Sequence, residues 1–122
     1  QGCWYERPAR KLDRVVSCGD VRLEVRERPD HKVGTGGEVW AASHVLMRYL
    51  CDGGPLPGGE LPFSGRRVVE VGAGVGLPGM TCAKLGADVT LTDEPRVLGV
   101  IQENIRANFG PGAAPRGRSR AE

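Results

Sequence analysis

Val21, Leu23 and Val25 alternate with Arg22, Glu24 and Arg26, the period of two that sends every other side chain to one face of a half-buried strand. Gly19-Asp20 supplies turn residues between this run and Arg14-Val15-Val16, so the stretch from Val15 to Glu27 is predicted to form a β-hairpin. A polar loop through Pro29-Asp30-His31-Lys32 follows. The period then lengthens: Trp40, Ala41, Val45, Leu46, Tyr49 and Leu50 fall near one apolar helical face, which ends at Gly53-Gly54. Residues 52 to 65 are rich in Gly and Pro and read as a loop.

Arg66 to Val71 is short, β-branched and bounded by Gly65 and Gly72, which marks a strand. Leu77 to Leu85 can form a helix that stops at Gly86, and Val89 to Thr92 a second short strand. Pro95 opens a further helix as a first-turn proline, with Val97, Leu98, Ile101 and Ile105 on its buried face and Asn108 and Gly110 at its end. Strand, glycine loop, helix, strand, acid, helix is a βαβα order, which builds a parallel sheet with helical crossovers. Gly110 to Glu122 shows no periodicity and is expected to be disordered.

Composition narrows the classes. A chain of 122 residues suits one small domain, and a formal charge of +2 without a basic stripe gives no reason to expect nucleic acid. Cys3, Cys18, Cys51 and Cys82 form no C-x-x-C pair, which speaks against a zinc site and a disulfide scaffold and for reduced thiols. No apolar run approaches the roughly 20 residues that span a bilayer, and no signal peptide is visible, so a cytoplasmic (or nuclear) protein without membrane attachment is expected. His31 and His44 are the only histidines, and His44, in mid-helix, reads as a surface or packing residue.

The chemistry centres on Glu70-Val71-Gly72-Ala73-Gly74-Val75-Gly76. Glycines between a strand and a helix permit positive φ and let a ligand approach the backbone closely, while the helix N-terminus favours a negative group. The loop therefore indicates a nucleoside-type cofactor. Gly74-x-Gly76-x-x-Gly79 fits the dinucleotide pattern, with Pro78 tolerated in the first turn; Glu70-x-Gly72-x-Gly74-x-Gly76 fits a methyltransferase frame. Asp93, roughly twenty residues further on at the tip of the second strand, can accept ribose hydroxyls in either case. Glu94, immediately before Pro95, is the expected helix cap, which leaves Asp93 free.

Together these residues resemble the class I, seven-strand S-adenosylmethionine-dependent methyltransferases, and within them the small protein-lysine methyltransferase group. The resemblance runs over about residues 14 to 109: Gly37-Glu38-Val39-Trp40-Ala41-Ala42, Val68 to Gly74, Leu77-Pro78-Gly79, Leu85 to Asp93, and Asn104-Ile105-Arg106-Ala107-Asn108. It implies a Rossmann-like doubly wound sheet, S-adenosyl-L-methionine as cofactor and a protein lysine as methyl acceptor. By the same resemblance, Trp40 contacts the cofactor, with helix-start packing as its alternative role. Gly72, Ala73 and Gly74 line the methionyl part, with Gly76 completing the loop. Glu70 braces the loop and orients the cofactor's amino group, and Asp93 binds the ribose.

Val75 departs from the family's small hydroxyl residue, a difference of one polar contact worth roughly 0.5–1.5 kcal/mol. The larger departure is that the family fold continues through five more strands, including those carrying the acceptor-side motifs. The expected division is therefore residues 1–35 as hairpin and loop, 36–109 as a partial cofactor-binding domain and 110–122 as a disordered tail. The expected activity is that of a truncated cofactor-binding half, inactive alone, whose catalytic residues lie beyond residue 122. The alternatives are an inactive binding module and a nicotinamide-dependent oxidoreductase.

Overall fold

A computed structural model describes residues 12–29, 32–54, 62–111 and 118–121. His31, half of the Gly/Pro-rich loop and part of the tail thus lie outside the described residues.

The hairpin forms as its alternation demands. β1 (Leu12–Cys18) and β2 (Val21–Glu27) pair antiparallel, with Cys18 opposite Val21 across the Gly19-Asp20 turn. Val21, Leu23, Val25 and Glu27 are buried, while Arg22 and Glu24 face outward. A short 3-10 turn (Gly34–Gly37) leads to α1 (Ala41–Cys51).

The face that α1 buries differs from the one expected. Met47 is buried, and Leu50 and Cys51 pack partly against the core, whereas Val45 is 71% exposed and Leu46 and Tyr49 also face outward. The helix is apolar on two sides, and periodicity alone does not choose between them.

β3 (Arg67–Val71), α2 (Leu77–Lys84), β4 (Asp88–Thr92) and α3 (Pro95–Phe109) form the βαβα unit. β3 and β4 run parallel, with Val68 opposite Val89 and Glu70 opposite Leu91, so these four share one face of the sheet. That is the face the helices cover. Val89, Leu91, Leu77, Met80, Val97 and Ile101 meet there, and β2 contributes Leu23 and Val25 to the same core. α2 is buried along Leu77 to Ala83, wedged between the sheet, α1 and β2. It ends where the Ala87 N–H returns to the Cys82 carbonyl (3.0 Å), with Gly86 at φ +103°, a Schellman closure. On the other face, Val69 (66%) and Val71 (86%) are exposed.

The tail reading is corrected in part. Arg118–Ala121 forms β5, paired parallel with β4, so the sheet order is β3-β4-β5. Composition did not reveal this because the pairing uses backbone groups along the β4 edge, which any non-proline residue supplies. Among the described residues β3 stands at the other edge.

Candidate functional site

The turn from β3 into α2 and the tip of β4 meet at a cavity of about 250 Å³. Trp40, Glu70, Gly72, Ala73, Gly74 and Asp93, which the sequence singled out, all line it. Gly76 does not. It lies beneath the loop as the N-cap of α2, at φ +89°, where an added Cβ would sit 2.9 Å from Leu91 Cδ1. Its glycine character follows from backbone shape and packing rather than from facing the cavity.

The loop is held from several sides. The Ala73 N–H donates to the Thr92 carbonyl (2.9 Å), and the Thr92 hydroxyl donates to the Glu70 carbonyl (2.8 Å). The Gly74 N–H donates to Asp93 Oδ2 at 2.8 Å, while Asp93 Oδ1 accepts the Glu94 N–H at 2.7 Å. Asp93 is therefore engaged rather than free. A carboxylate offers about four lone-pair directions, so capacity for ligand hydroxyls remains. Glu94 occupies the N-cap of α3, but its side chain makes no capping bond and pairs instead with Arg96 at 2.8 Å.

Glu70 reaches beneath the loop. Its Oε2 accepts the Gly79 N–H of the first turn of α2 at 2.7 Å, and Glu70 is among the residues that line the cavity. Burial pushes the Glu70 carboxyl up from 4.5 to about 7; the Gly79 hydrogen bond pulls it down, and nearby Asp93 adds to the rise. Gly79 has no room for a side chain: a Cβ would lie 2.1 Å from Leu91 Cδ2 and 2.5 Å from Glu70 Oε2. Close helix–sheet packing thus accounts for the last glycine of the Gly74-x-Gly76-x-x-Gly79 spacing.

Trp40 sits at the N-cap of α1, 54% exposed, with its indole N–H donating to the Thr35 carbonyl at 3.0 Å. Trp40 is not among the buried core residues. The segment before it is fixed by the hairpin end. The Arg28 N–H donates to the Gly37 carbonyl (2.7 Å), and the Val39 N–H donates to Glu27 Oε1 (2.7 Å). Buried Glu27 is balanced by Arg14, whose Nε lies 2.8 Å from Oε2, an ion pair without hydrogen-bond alignment.

The sequence reading missed Glu38, Arg96 and Gly36 as cavity-lining residues. Gly36 carried a signal in the Gly34-Thr-Gly-Gly run: a Cβ there would meet Val97 Cγ2 at 2.7 Å. Among the described residues no group of three His, Cys, Asp or Glu side chains is arranged to hold a metal ion.

An α/β unit whose glycine loop is braced by one acid and joined to a second acid at the next strand tip is the frame of a nucleoside-cofactor site. Comparison with known proteins makes the class specific. The profile of the lysine methyltransferase family matches residues 19–115. EEF1A lysine methyltransferase 3 of Mus musculus is 35% identical over 103 residues, covering 84% of this chain and 41% of that protein. Protein N-lysine methyltransferase METTL21A of Danio rerio is 37% identical over 90 residues, covering 74% of this chain and 36% of that protein. The chain belongs to the lysine methyltransferase family. It spans about two fifths of the length of the relatives it matches.

Proposed function

We propose that the cavity binds S-adenosyl-L-methionine and that this chain supplies the cofactor-binding part, residues 36–109 with the preceding hairpin, of a protein-lysine N-methyltransferase. The observation that carries the reading is the carboxylate of Glu70. It takes the Gly79 N–H at the start of α2, so a first-turn donor that a dinucleotide's pyrophosphate could use is already occupied by an internal carboxyl group. Two acids lining one wall favour a ligand that brings positive charge, as a sulfonium and an ammonium do, and disfavour a bridging pyrophosphate.

The residues fit the cofactor by their donor set. Gly72, at φ +67° with nothing within 4 Å of an added Cβ, leaves its backbone open to the cavity. Asp93 is suited to ribose hydroxyls, Glu70 to an ammonium, and the Trp40 ring to the cationic end of the ligand. When bound, S-adenosyl-L-methionine supplies a methyl group already activated by its sulfonium. The chain's own contribution is to hold that end beside Trp40 and to keep the loop rigid through Asp93, which is catalysis by positioning. The lysine acceptor is supported by the names of both relatives, which share it. A cytoplasmic or nuclear setting is supported by the free thiols of Cys18, Cys51 and Cys82.

Calorimetric titration of the chain with S-adenosylhomocysteine and with NAD tests the reading. Saturable binding of the first with at least tenfold preference over the second is expected; the reverse order would overturn it. A second reading, a module that binds a partner along the open β3 strand, is favoured by exposed Val69 and Val71. It would be distinguished by stable complex formation without any binding of S-adenosylhomocysteine.

A further inference from the structure

Two asparagines one helical turn apart on α3 lie along the outer edge of β2. Asn104 Oδ1 accepts the Arg26 N–H at 2.7 Å, and its Nδ2 donates to the Arg26 carbonyl at 3.0 Å. Asn108 repeats the pattern on Glu24: Oδ1 accepts the N–H at 2.7 Å, and Nδ2 donates to the carbonyl at 2.7 Å. Each side-chain amide therefore pairs with both backbone groups of one residue, as a neighbouring strand would. The spacing works because four residues of helix rise about 6.0 Å and two residues of strand about 6.8 Å.

The two asparagines differ in what they do with the remaining N–H. Asn108 returns it to the Asn104 carbonyl (2.8 Å), within its own helix. Asn104, fully buried, donates it to the carbonyl of Val75 in the glycine loop at 3.0 Å. Val75 lies between Gly74, whose N–H is held by Asp93, and Gly76, whose N–H returns to the Ala73 carbonyl. Gly72, Gly74 and Gly76 all take positive φ, so the loop backbone has few steric limits of its own. The Ala73–Gly74 and Val75–Gly76 peptide groups are instead held by two side chains, Asp93 from the tip of β4 and Asn104 from α3.

We infer that Asn104 is a positioning residue for the glycine loop, and that through it the hairpin, by way of Arg26, is coupled to ligand binding at the cavity. This rests on the cofactor reading above only for the identity of the ligand. Asn108 makes the same hairpin contact without the loop contact, and so separates coupling from packing.

Amide hydrogen exchange and S-adenosylhomocysteine titration on the full chain and on Asn104→Ala and Asn108→Ala test the inference. Asn104→Ala should speed exchange at Arg26 and Asn108→Ala at Glu24. Only Asn104→Ala should also speed exchange at Gly74 and Gly76 and weaken S-adenosylhomocysteine by roughly tenfold. Equal effects of the two variants, with loop exchange and affinity unchanged in Asn104→Ala, would overturn it. Should Asn104→Ala not fold, Asn104→Ser is read in the same way. In the unsubstituted chain, saturating S-adenosylhomocysteine should slow exchange of the Arg26 N–H; protection confined to the loop would count against coupling. If the chain does not bind S-adenosylhomocysteine at all, the cofactor reading fails. Gly74 and Gly76 exchange in the variants then still decides the role of Asn104.

Discussion

Asp93 Oδ2 accepts the Gly74 N–H at 2.8 Å, which joins the acid at the tip of β4 directly to the middle glycine of the loop after β3. One side chain thus shapes the loop and faces the cavity beside it. Asp93→Ala removes both functions. Hydrogen bonds to charged groups contribute about 1.5–3 kcal/mol, so S-adenosylhomocysteine affinity should fall by roughly ten- to a hundredfold. Asp93→Asn keeps an oxygen for Gly74 and should lose less; calorimetric titration of both variants checks the order.

Glu70 gives the fold a pH dependence of unusual sign. Its folded value, about 7, lies above its ordinary value of 4.5 because of burial, so the folded chain holds this proton more tightly than the unfolded chain. Stability from this group is therefore full below pH 4.5 and falls as pH rises towards about 7. Glu70→Gln keeps an acceptor for Gly79 without the charge. Its melting temperature should match the parent at pH 4.5 and exceed it at pH 8, as read by circular dichroism. An ammonium placed beside Glu70 favours the ionised carboxylate, so S-adenosylhomocysteine, which brings its ammonium but no sulfonium, should bind the parent more tightly at pH 8 than at pH 6, and the variant without that gain.

Two glycines on helices make a matched pair. Gly79→Ala drives a methyl into Leu91 and the Glu70 carboxylate and should destabilise by about 1–3 kcal/mol, since an overpacked core relaxes poorly. Gly99→Ala, in mid-α3 with nothing within 4 Å of an added Cβ, should stabilise by about 0.5–1 kcal/mol. Urea denaturation of both variants gives the comparison.

Trp40 contributes to the cavity rim and little to the core. Trp40→Ala should change unfolding stability by no more than about 0.5 kcal/mol, as substitutions of exposed side chains commonly do, while weakening S-adenosylhomocysteine several-fold. A large loss of stability with intact affinity would return Trp40 to a packing role.

The hairpin, the two sheet strands and the glycine-loop wall of the cavity were legible because their signals are local. β2 alternates strictly, Gly72 and Gly74 interrupt a β-branched run, and Asp93 and Pro95 mark the end of one element and the start of the next. What was not legible depended on neighbours. Val45, Leu46 and Tyr49 are as apolar as Met47 and Leu50, and only the packed helix α2 shows which set turns inward. β5 is joined to β4 through backbone groups, which leave no trace in a tail of Arg, Ser and Gly. Asn104 sits among apolar residues at helical spacing, where a polar side chain reads as solvent-facing; its partners lie 78 and 29 positions away along the chain. Glu38 and Arg96 flank a turn and a helix start, where charges are usually solvated.

The most direct test of the central claim, that the glycine loop, Trp40 and Asp93 form one S-adenosyl-cofactor site, is a backbone amide NMR titration of the chain with S-adenosylhomocysteine. Saturable shifts should concentrate at Gly72, Ala73, Gly74 and Asp93 and at the Trp40 indole N–H, with NAD leaving them in place. Shifts at the loop with NAD and none with S-adenosylhomocysteine would contradict the account.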